Sequence, residues 1–216
     1  MGKTKMRRKL RKFRKKLKQQ LSFIKRRLVK PPLPKNSDGK VLVHIGCGSK
    51  NSPEFINVDA RPFPHVHIIT DNITSLPNFQ NATVDMVYMC HILEHVKHGD
   101  LKKVLLEMKR VLKKGGTLRI SVPDFDQIIH IYANTGKNIN PIKYPLMGKQ
   151  DYPYNTHYSV FNRQYLSELL QKVGFEKITN WDPNDCQYHD FEDFASHKIE
   201  VNGKKYTISL NLEAFK

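Results

Sequence analysis

The sequence holds only three cysteines in 216 residues, Cys47, Cys90 and Cys186, and no two form a C-x-x-C pair. An odd number without that spacing argues against a disulfide scaffold or a zinc knuckle and points to a reducing compartment, the cytosol. No run of 18 apolar residues occurs, and the N-terminal segment alternates charge and hydrophobe too finely to supply the apolar core of a signal peptide. Neither a membrane span nor export by that route is expected. Repeats and low-complexity runs are missing too. Beyond residue 40 there is almost no charge imbalance. Residues 1–40 hold 17 of the 37 Lys and Arg against one acid, Asp38, while the remaining 20 basic and 19 acidic residues leave the body at +1. A neutral body argues against a general nucleic-acid binder.

What is present at the N-terminus is a patterned tail. Met6, Leu10, Phe13, Leu17, Leu21, Ile24 and Leu28 recur every three or four residues among Lys and Arg, which is one stripe of a helix. Such a helix would run roughly 34 Å at about 1.5 Å per residue, and Pro31 and Pro32 should stop it. Residues 6–29 suit an anionic membrane surface, with the cationic face on headgroups and the stripe at the acyl boundary. Docking on a partner or on the chain's own body, and RNA, are the alternatives; a parallel coiled coil is disfavoured by like charges flanking its seam. The organisation expected is a basic amphipathic helix over 1–30, a linker over 31–40 and one domain over 41–216.

From Val41 the pattern becomes α/β. Short apolar runs, "VLVHI" (41–45), "FINV" (55–58), "VHII" (66–69) and "VDMVYM" (84–89), read as strands, the first three ending at Gly46, Asp59 and Asp71. "GDLKKVLLEMKRVLKKGG" reads as a helix with Leu101, Val104, Leu105, Met108 and Leu112 on one side, followed by a strand "TLRISV" (117–122). Two further helices are expected in "PDFDQIIHIYANTG" and "NRQYLSELLQKVG", with Asn162 capping the second, then late strands in "FEKITNW" and "KYTISLNL". Residues 137–161, rich in Tyr, Pro and Asn, are too long for a plain connection and read as a functional loop or lid.

Alternating strands and helices imply a mainly parallel sheet, which binds ligands where the carboxyl ends of its strands meet. A dinucleotide is disfavoured, because "HIGCGSKN" lacks a third glycine and the 13 residues from Gly46 to Asp59 leave no room for a phosphate-facing helix. A phosphate-free nucleoside suits the edge better: Gly46 and Gly48 allow close approach, and Asp59 can accept from both ribose hydroxyls.

Five segments in order, "VLVHIGCGS", "NVDA", "DNITSLP", "VDMVYMCHILEHV" and "RVLKKGGTLRISVPD", resemble the class I S-adenosylmethionine-dependent methyltransferases. The resemblance implies a Rossmann-like fold with a mainly parallel seven-stranded sheet, here preceded by the basic helix, and S-adenosyl-L-methionine as cofactor. It implies that Gly46, Cys47 and Gly48 back the cofactor, Asp59 holds the ribose, Asp71 and Asn72 lie near the adenine, and His91 lies near the methionine end. A narrower resemblance, carried by "GCG", "INVD", "LEH", "RISVPDFD", "QDYPYN" with a following His, and "SLNLEA", is to predicted methyltransferases encoded beside glycosyltransferases in cell-surface polysaccharide clusters. It implies a glycan or lipid-linked saccharide acceptor at the inner membrane face. Two departures stand out: His44 replaces an acid that orients the cofactor's amino-acid end in many class I members, and the first helix is nearly missing.

Methyl transfer to a hydroxyl needs aligned reactants and a proton acceptor. His95, Asp124 and His157 are expected to face the acceptor. His95 reads equally as a helix-capping or hydrogen-bonded structural residue, a plain N-cap is the alternative for Asp124, and His189 with Asp190 reads as a surface turn. Cys47 and Cys90 read as packing residues. Tyr152, Tyr154 and Tyr158 either pack the loop or stack on sugar rings. His91, Glu94 and His95 also spell H-x-x-E-H, a zinc-hydrolase spacing if helical. They follow directly on an apolar strand and precede Gly99, so no metal is expected. RNA methylation and a non-catalytic membrane-docking module with a decayed cofactor site are the competing functional readings.

Overall fold

The structure is a computed structural model describing residues 2–34 and 36–216. Its centre is a seven-stranded sheet of β1 (Leu42–Ile45), β2 (Phe55–Asp59), β3 (Ile68–Ile69), β4 (Val84–Cys90), β5 (Leu112–Pro123), β6 (Glu176–Asn180) and, late in the chain, β9 (Ser209–Phe215). The order is β3-β2-β1-β4-β5-β9-β6. β1 to β5 run parallel, and β9 inserts antiparallel between β5 and β6. Every residue of β1 is buried, as a parallel strand covered on both faces requires. The chain turns direction of growth at β1, between β2 and β4, which is where such sheets open a crevice.

The two faces are covered differently. Val43, Ile45, Val87 and Met89 pack under α2 (Leu101–Val111), whose Leu101, Val104, Leu105 and Met108 are fully buried at helical spacing, and under Leu166 and Leu170. Those two residues belong to α5 (Arg163–Lys172), where Asn162 accepts a cap hydrogen bond from Tyr165 N. The opposite face, with Leu42, Phe55, Met86 and Tyr88, is covered by the aromatic excursion Trp181–Ala195, in which Trp181 Nε1 donates to Ile120 O at 3.1 Å. The five-residue α4 (Lys143–Met147) lines the crevice with Tyr144 and Pro145, and Ile128 and Ile131 of α3 (Phe125–Asn134) pack in one cluster with Ile142 before it.

Three details differ from the sequence reading. Leu112 continues the apolar spacing of α2 but is extended and begins β5, because a buried strand and a buried helix face both want Leu there. "KYTISLNL" is two strands that part at Ile208: β9, and β8 (Lys204–Thr207), which forms a hairpin with β7 (Lys198–Val201). His189 is no surface turn. Its side chain is 2% exposed, with Nδ1 donating to Pro183 O at 2.9 Å and Nε2 near Asp193 and the Tyr88 hydroxyl.

The tail is α1 (Gly2–Leu28). Among the described residues it meets the body through its last two turns: Phe23 packs edge-on against Phe63 at 5.1 Å, and the buried Arg26 donates to Val66 O and His67 O. The apolar stripe from Met6 to Leu28 stays exposed. Among the described residues, no helix is long and apolar enough to cross a membrane.

Candidate active site

The strand ends open into one cavity of about 930 Å³. Ile45 is in register with Val58 of β2 and Met89 of β4, and Asp59 with Ile69, so Gly46, Asp59, Asp71 and His91 reach the same edge. All seven residues expected to hold the cofactor line it: Gly46, Cys47, Gly48, Asp59, Asp71, Asn72 and His91.

The glycine loop is fixed by β2. Gly46 N and Cys47 N both donate to Val58 O, at 2.7 and 3.2 Å. Gly46 has φ +70°, and a Cβ there would lie 1.9 Å from the Ile92 side chain, so only glycine permits the turn. Gly48 N donates to Asp59 Oδ2 at 2.7 Å, and Arg61 donates to Oδ1 from N at 2.8 Å and Nε at 3.3 Å. A carboxylate accepts about four hydrogen bonds, so Asp59 retains one site on Oδ2. It can take one ribose hydroxyl while Arg61 stays in place and a second only when Arg61 moves. Asp71 and Asn72 are exposed at the rim.

At the exit of β4, His91 has φ +53°, a conformation unusual outside glycine and common at functional sites. Its N donates to Ser121 O at 2.8 Å, and its Nε2 lies 2.8 Å from Ser209 Oγ. Glu94 follows in a 3-10 turn and is 1% exposed, with neither carboxylate oxygen in a hydrogen bond. His91 Nδ1 stands 3.2 Å from Glu94 Oε1, close enough for ionic attraction but misaligned for a hydrogen bond. Burial pushes the Glu94 carboxyl up, and the imidazoles of His91, His95 and His157 outweigh it, leaving the pKa below its ordinary value.

The long loop closes the other side. Tyr158 N and Ser159 N donate to Glu94 O at 2.7 and 3.2 Å, tying residues 137–161 to the β4 exit. His95 and His157 meet edge to face at 4.8 Å. The Nδ1 of His95 contacts Thr156 O and that of His157 contacts Pro145 O, each at 3.0 Å. A carbonyl only accepts, so both Nδ1 atoms carry hydrogen, which leaves Nε2 as the lone-pair nitrogen of each ring when the imidazole is neutral. Burial lowers the His157 pKa. Tyr144, Tyr152, Tyr154 and Tyr158 also line the cavity.

Asp124 does not join them. Its carboxylate caps α3, accepting from Asp126 N at 3.1 Å, and its backbone bridges to Phe161. It lies outside the cavity lining because β5 runs on to Pro123 and points the next side chain at the helix. Burial raises its carboxyl pKa. His44 is a packing residue: it is 2% exposed, bonded through Nδ1 to Ser52 Oγ at 2.9 Å, and set among Phe55, Tyr88 and Phe191. Burial also pushes the Cys47 and Cys90 thiols up, leaving both as neutral packing groups. Sequence reasoning missed Arg61, Asp193 and Phe194 in the lining. Nothing in their spacing marks them, since loops bring each to the rim.

The family described as "Methyltransferase domain" matches residues 6–180, most of the chain, and the chain belongs to it. Among curated proteins, the demethylmenaquinone methyltransferase of Alkalihalophilus pseudofirmus is 30% identical over 121 residues, covering 53% of this chain and 50% of that protein. The chain thus spans about half the length of the curated relative it matches. Among solved structures, a SAM-dependent methyltransferase of Thermotoga maritima is 18% identical with a TM-score of 0.51, covering 91% of this chain and 88% of the other. One from Archaeoglobus fulgidus is 18% identical with a TM-score of 0.52, covering 82% and 86%. At this identity the structures establish the shared Rossmann-like methyltransferase fold.

S-adenosylmethionine, the methyl donor of this class, fits the residues present. Gly46 and Gly48 bring bare backbone to the cavity lining, Asp59 keeps an acceptor site for a hydroxyl, and no helix N-terminus follows β1 to call for a pyrophosphate.

Proposed function

We propose that this chain transfers a methyl group from S-adenosylmethionine to a hydroxyl of a glycan or lipid-linked saccharide at the cytoplasmic face of a membrane. The observation that carries the reading is the pair of imidazoles, His95 and His157, presenting Nε2 lone pairs to the cavity beneath a tyrosine-rich loop. The cofactor supplies an activated methyl on a sulfonium, and displacement there requires the acceptor oxygen to be held in line. In this reading His95 or His157 takes the hydroxyl proton at Nε2, with Glu94 stabilising the imidazolium that results. Tyr152, Tyr154 and Tyr158 offer aromatic faces to a sugar ring, and the loop keeps water from the reacting atoms. Asp59 and the glycine loop orient the nucleoside end.

Two further observations support a membrane-associated saccharide. The narrower family resemblance reaches nearly the whole body, and the tail leaves its apolar stripe uncovered on a cationic helix. The same basic tail supports a second reading, RNA methylation with the tail gripping phosphates. A transfer assay decides between them. With methyl-labelled cofactor and membrane, polysaccharide and RNA fractions offered together, label should enter saccharide. Label in RNA alone would replace the first reading with the second, and no label in any fraction would favour a non-catalytic docking module.

A further inference from the structure

We propose that Glu94, His95 and His157 form a binding site for one divalent first-row transition-metal ion in the wall of the cavity. One donor atom from each of the three lies within 4.8 Å of the others. Three features favour a shared ion. His95 gives its Nδ1 hydrogen to Thr156 O and His157 gives its own to Pro145 O, each at 3.0 Å, which turns both Nε2 lone pairs outward from the backbone. A backbone carbonyl behind each imidazole is the arrangement that fixes tautomer and ring orientation in metal-bound histidines. The third feature is Glu94, a carboxylate 1% exposed whose oxygens make no hydrogen bond: Oε1 has His91 Nδ1 at 3.2 Å as its near neighbour, and Oε2 has no partner. A buried anion left in that state calls for a cation.

The donor set limits the ion. Two imidazoles and one carboxylate favour zinc, manganese, iron(II) or nickel over magnesium and calcium, which prefer all-oxygen shells. Donors about 2.1 Å from one ion sit roughly 3.4 Å apart in tetrahedral geometry and at most about 4.2 Å apart when trans, so a pair at the 4.8 Å limit must close by roughly 0.6 to 1.4 Å. His157 can supply that movement, because it rides on the long loop while Glu94 and His95 belong to the turn after β4. Three protein donors also leave a coordination position open to the cavity.

The expectation of no metal, drawn from the sequence, rested on H-x-x-E-H needing a long helix. The structure removes that requirement. His91 drops out, with its Nε2 committed to Ser209 Oγ, and His157 replaces it from the loop. With the ion bound, His95 and His157 would be its ligands and not bases; the ion would then acidify an acceptor hydroxyl beside it, whose proton would pass to water in the cavity. This refines the proton-handling part of the proposed function, and it rests on that reading for the role of the ion, not for its binding.

The test uses the full chain stripped with chelator, titrated with Co²⁺ and read by visible absorption, then with Zn²⁺ by calorimetry. One equivalent of Co²⁺ should bind with the intense bands of four- or five-coordination, and Zn²⁺ should displace it. His157→Ala should weaken uptake at least tenfold, and so should Glu94→Gln, with S-adenosylhomocysteine affinity measured on the same samples as the check that the fold is intact. No stoichiometric uptake by the wild type, or uptake unchanged in His157→Ala, would overturn the site. Retained S-adenosylhomocysteine binding in that event would leave the methyltransferase reading standing, whereas loss of nucleoside binding with intact metal uptake would remove that reading alone.

Discussion

The guanidinium of Arg61 lies 4.8 Å from the ring centroid of Tyr152 and 4.9 Å from that of Phe63, while its Nε donates to Asp59 Oδ1 at 3.3 Å. One side chain thus joins the acid at the end of β2 to the loop over the cavity. A nucleoside that placed a second hydroxyl on Asp59 would have to displace Arg61, so this residue is expected to couple nucleoside binding to the loop.

The Tyr152 contact is a cation–π pair worth about 0.5–1 kcal/mol when exposed. Tyr152→Ala should therefore speed S-adenosylhomocysteine dissociation roughly two- to fivefold, and Tyr152→Phe should restore the wild-type rate. Stopped-flow displacement measures it. Equal rates in all three proteins would mean that the loop closes without this contact.

Asp124 should prove structural. As the N-cap of α3 it contributes about 1 kcal/mol, so Asp124→Ala should lower unfolding stability by that amount and Asp124→Ser should recover most of it. Turnover per folded molecule should not change. A large loss of kcat in Asp124→Ser at wild-type stability would return Asp124 to the acceptor site.

His44 predicts the acid behaviour of the fold. Burial pushes its pKa from 6.5 down to about 3, against a smaller opposing pull from Asp193. The unfolded chain therefore binds a proton at His44 before the folded one does. The stability it contributes is complete above about pH 6.5 and is lost as pH falls from there toward 3, with a slope of at most about 1.4 kcal/mol per pH unit. Denaturant unfolding between pH 7 and 4 should show this decline, and His44→Gln, which can still bond Ser52, should flatten it. An unchanged slope in the variant would assign the decline to other groups.

The tail's exposed stripe gives a fourth expectation. Replacing Leu10, Phe13 and Leu17 together by Ser preserves every charge and removes apolar surface that is uncovered in the fold. Affinity for vesicles containing anionic lipid should drop at least tenfold, since a buried CH₂ contributes about 0.8 kcal/mol at such an interface. Cofactor affinity should be unaffected. Salt-sensitive RNA binding that survives the serines, with vesicle binding also unchanged, would favour the phosphate-gripping reading.

Much of this was legible in the sequence because period and punctuation are local. The five parallel strands, the tail helix and the strand-end residues follow from apolar runs that stop at Gly46, Asp59, Asp71 and His91, and all four positions reach one edge. What escaped depends on distant partners. The break between β8 and β9 hides in "KYTISLNL" because Ile208 suits either one long strand or a break, and β7, before that segment, went unread. The Trp181–Ala195 excursion replaces a helical layer, a role that no period announces. Asp124 satisfies a cap signal and a catalytic one equally well, and only the direction of β5 separates them. His157 was singled out as an acceptor-facing residue, but its meeting with Glu94 depends on how 137–161 folds back on the turn after β4.

A nucleoside lying across the glycine turn and Asp59 is the central requirement of the proposed site. Calorimetric titration of S-adenosylhomocysteine into the wild type and into Asp59→Ala tests this directly. The wild type should bind one equivalent at micromolar affinity, and the variant should bind at least tenfold more weakly, as expected for losing a charged acceptor worth about 1.5–3 kcal/mol. No binding by the wild type at millimolar ligand, or equal binding by both proteins, would contradict it.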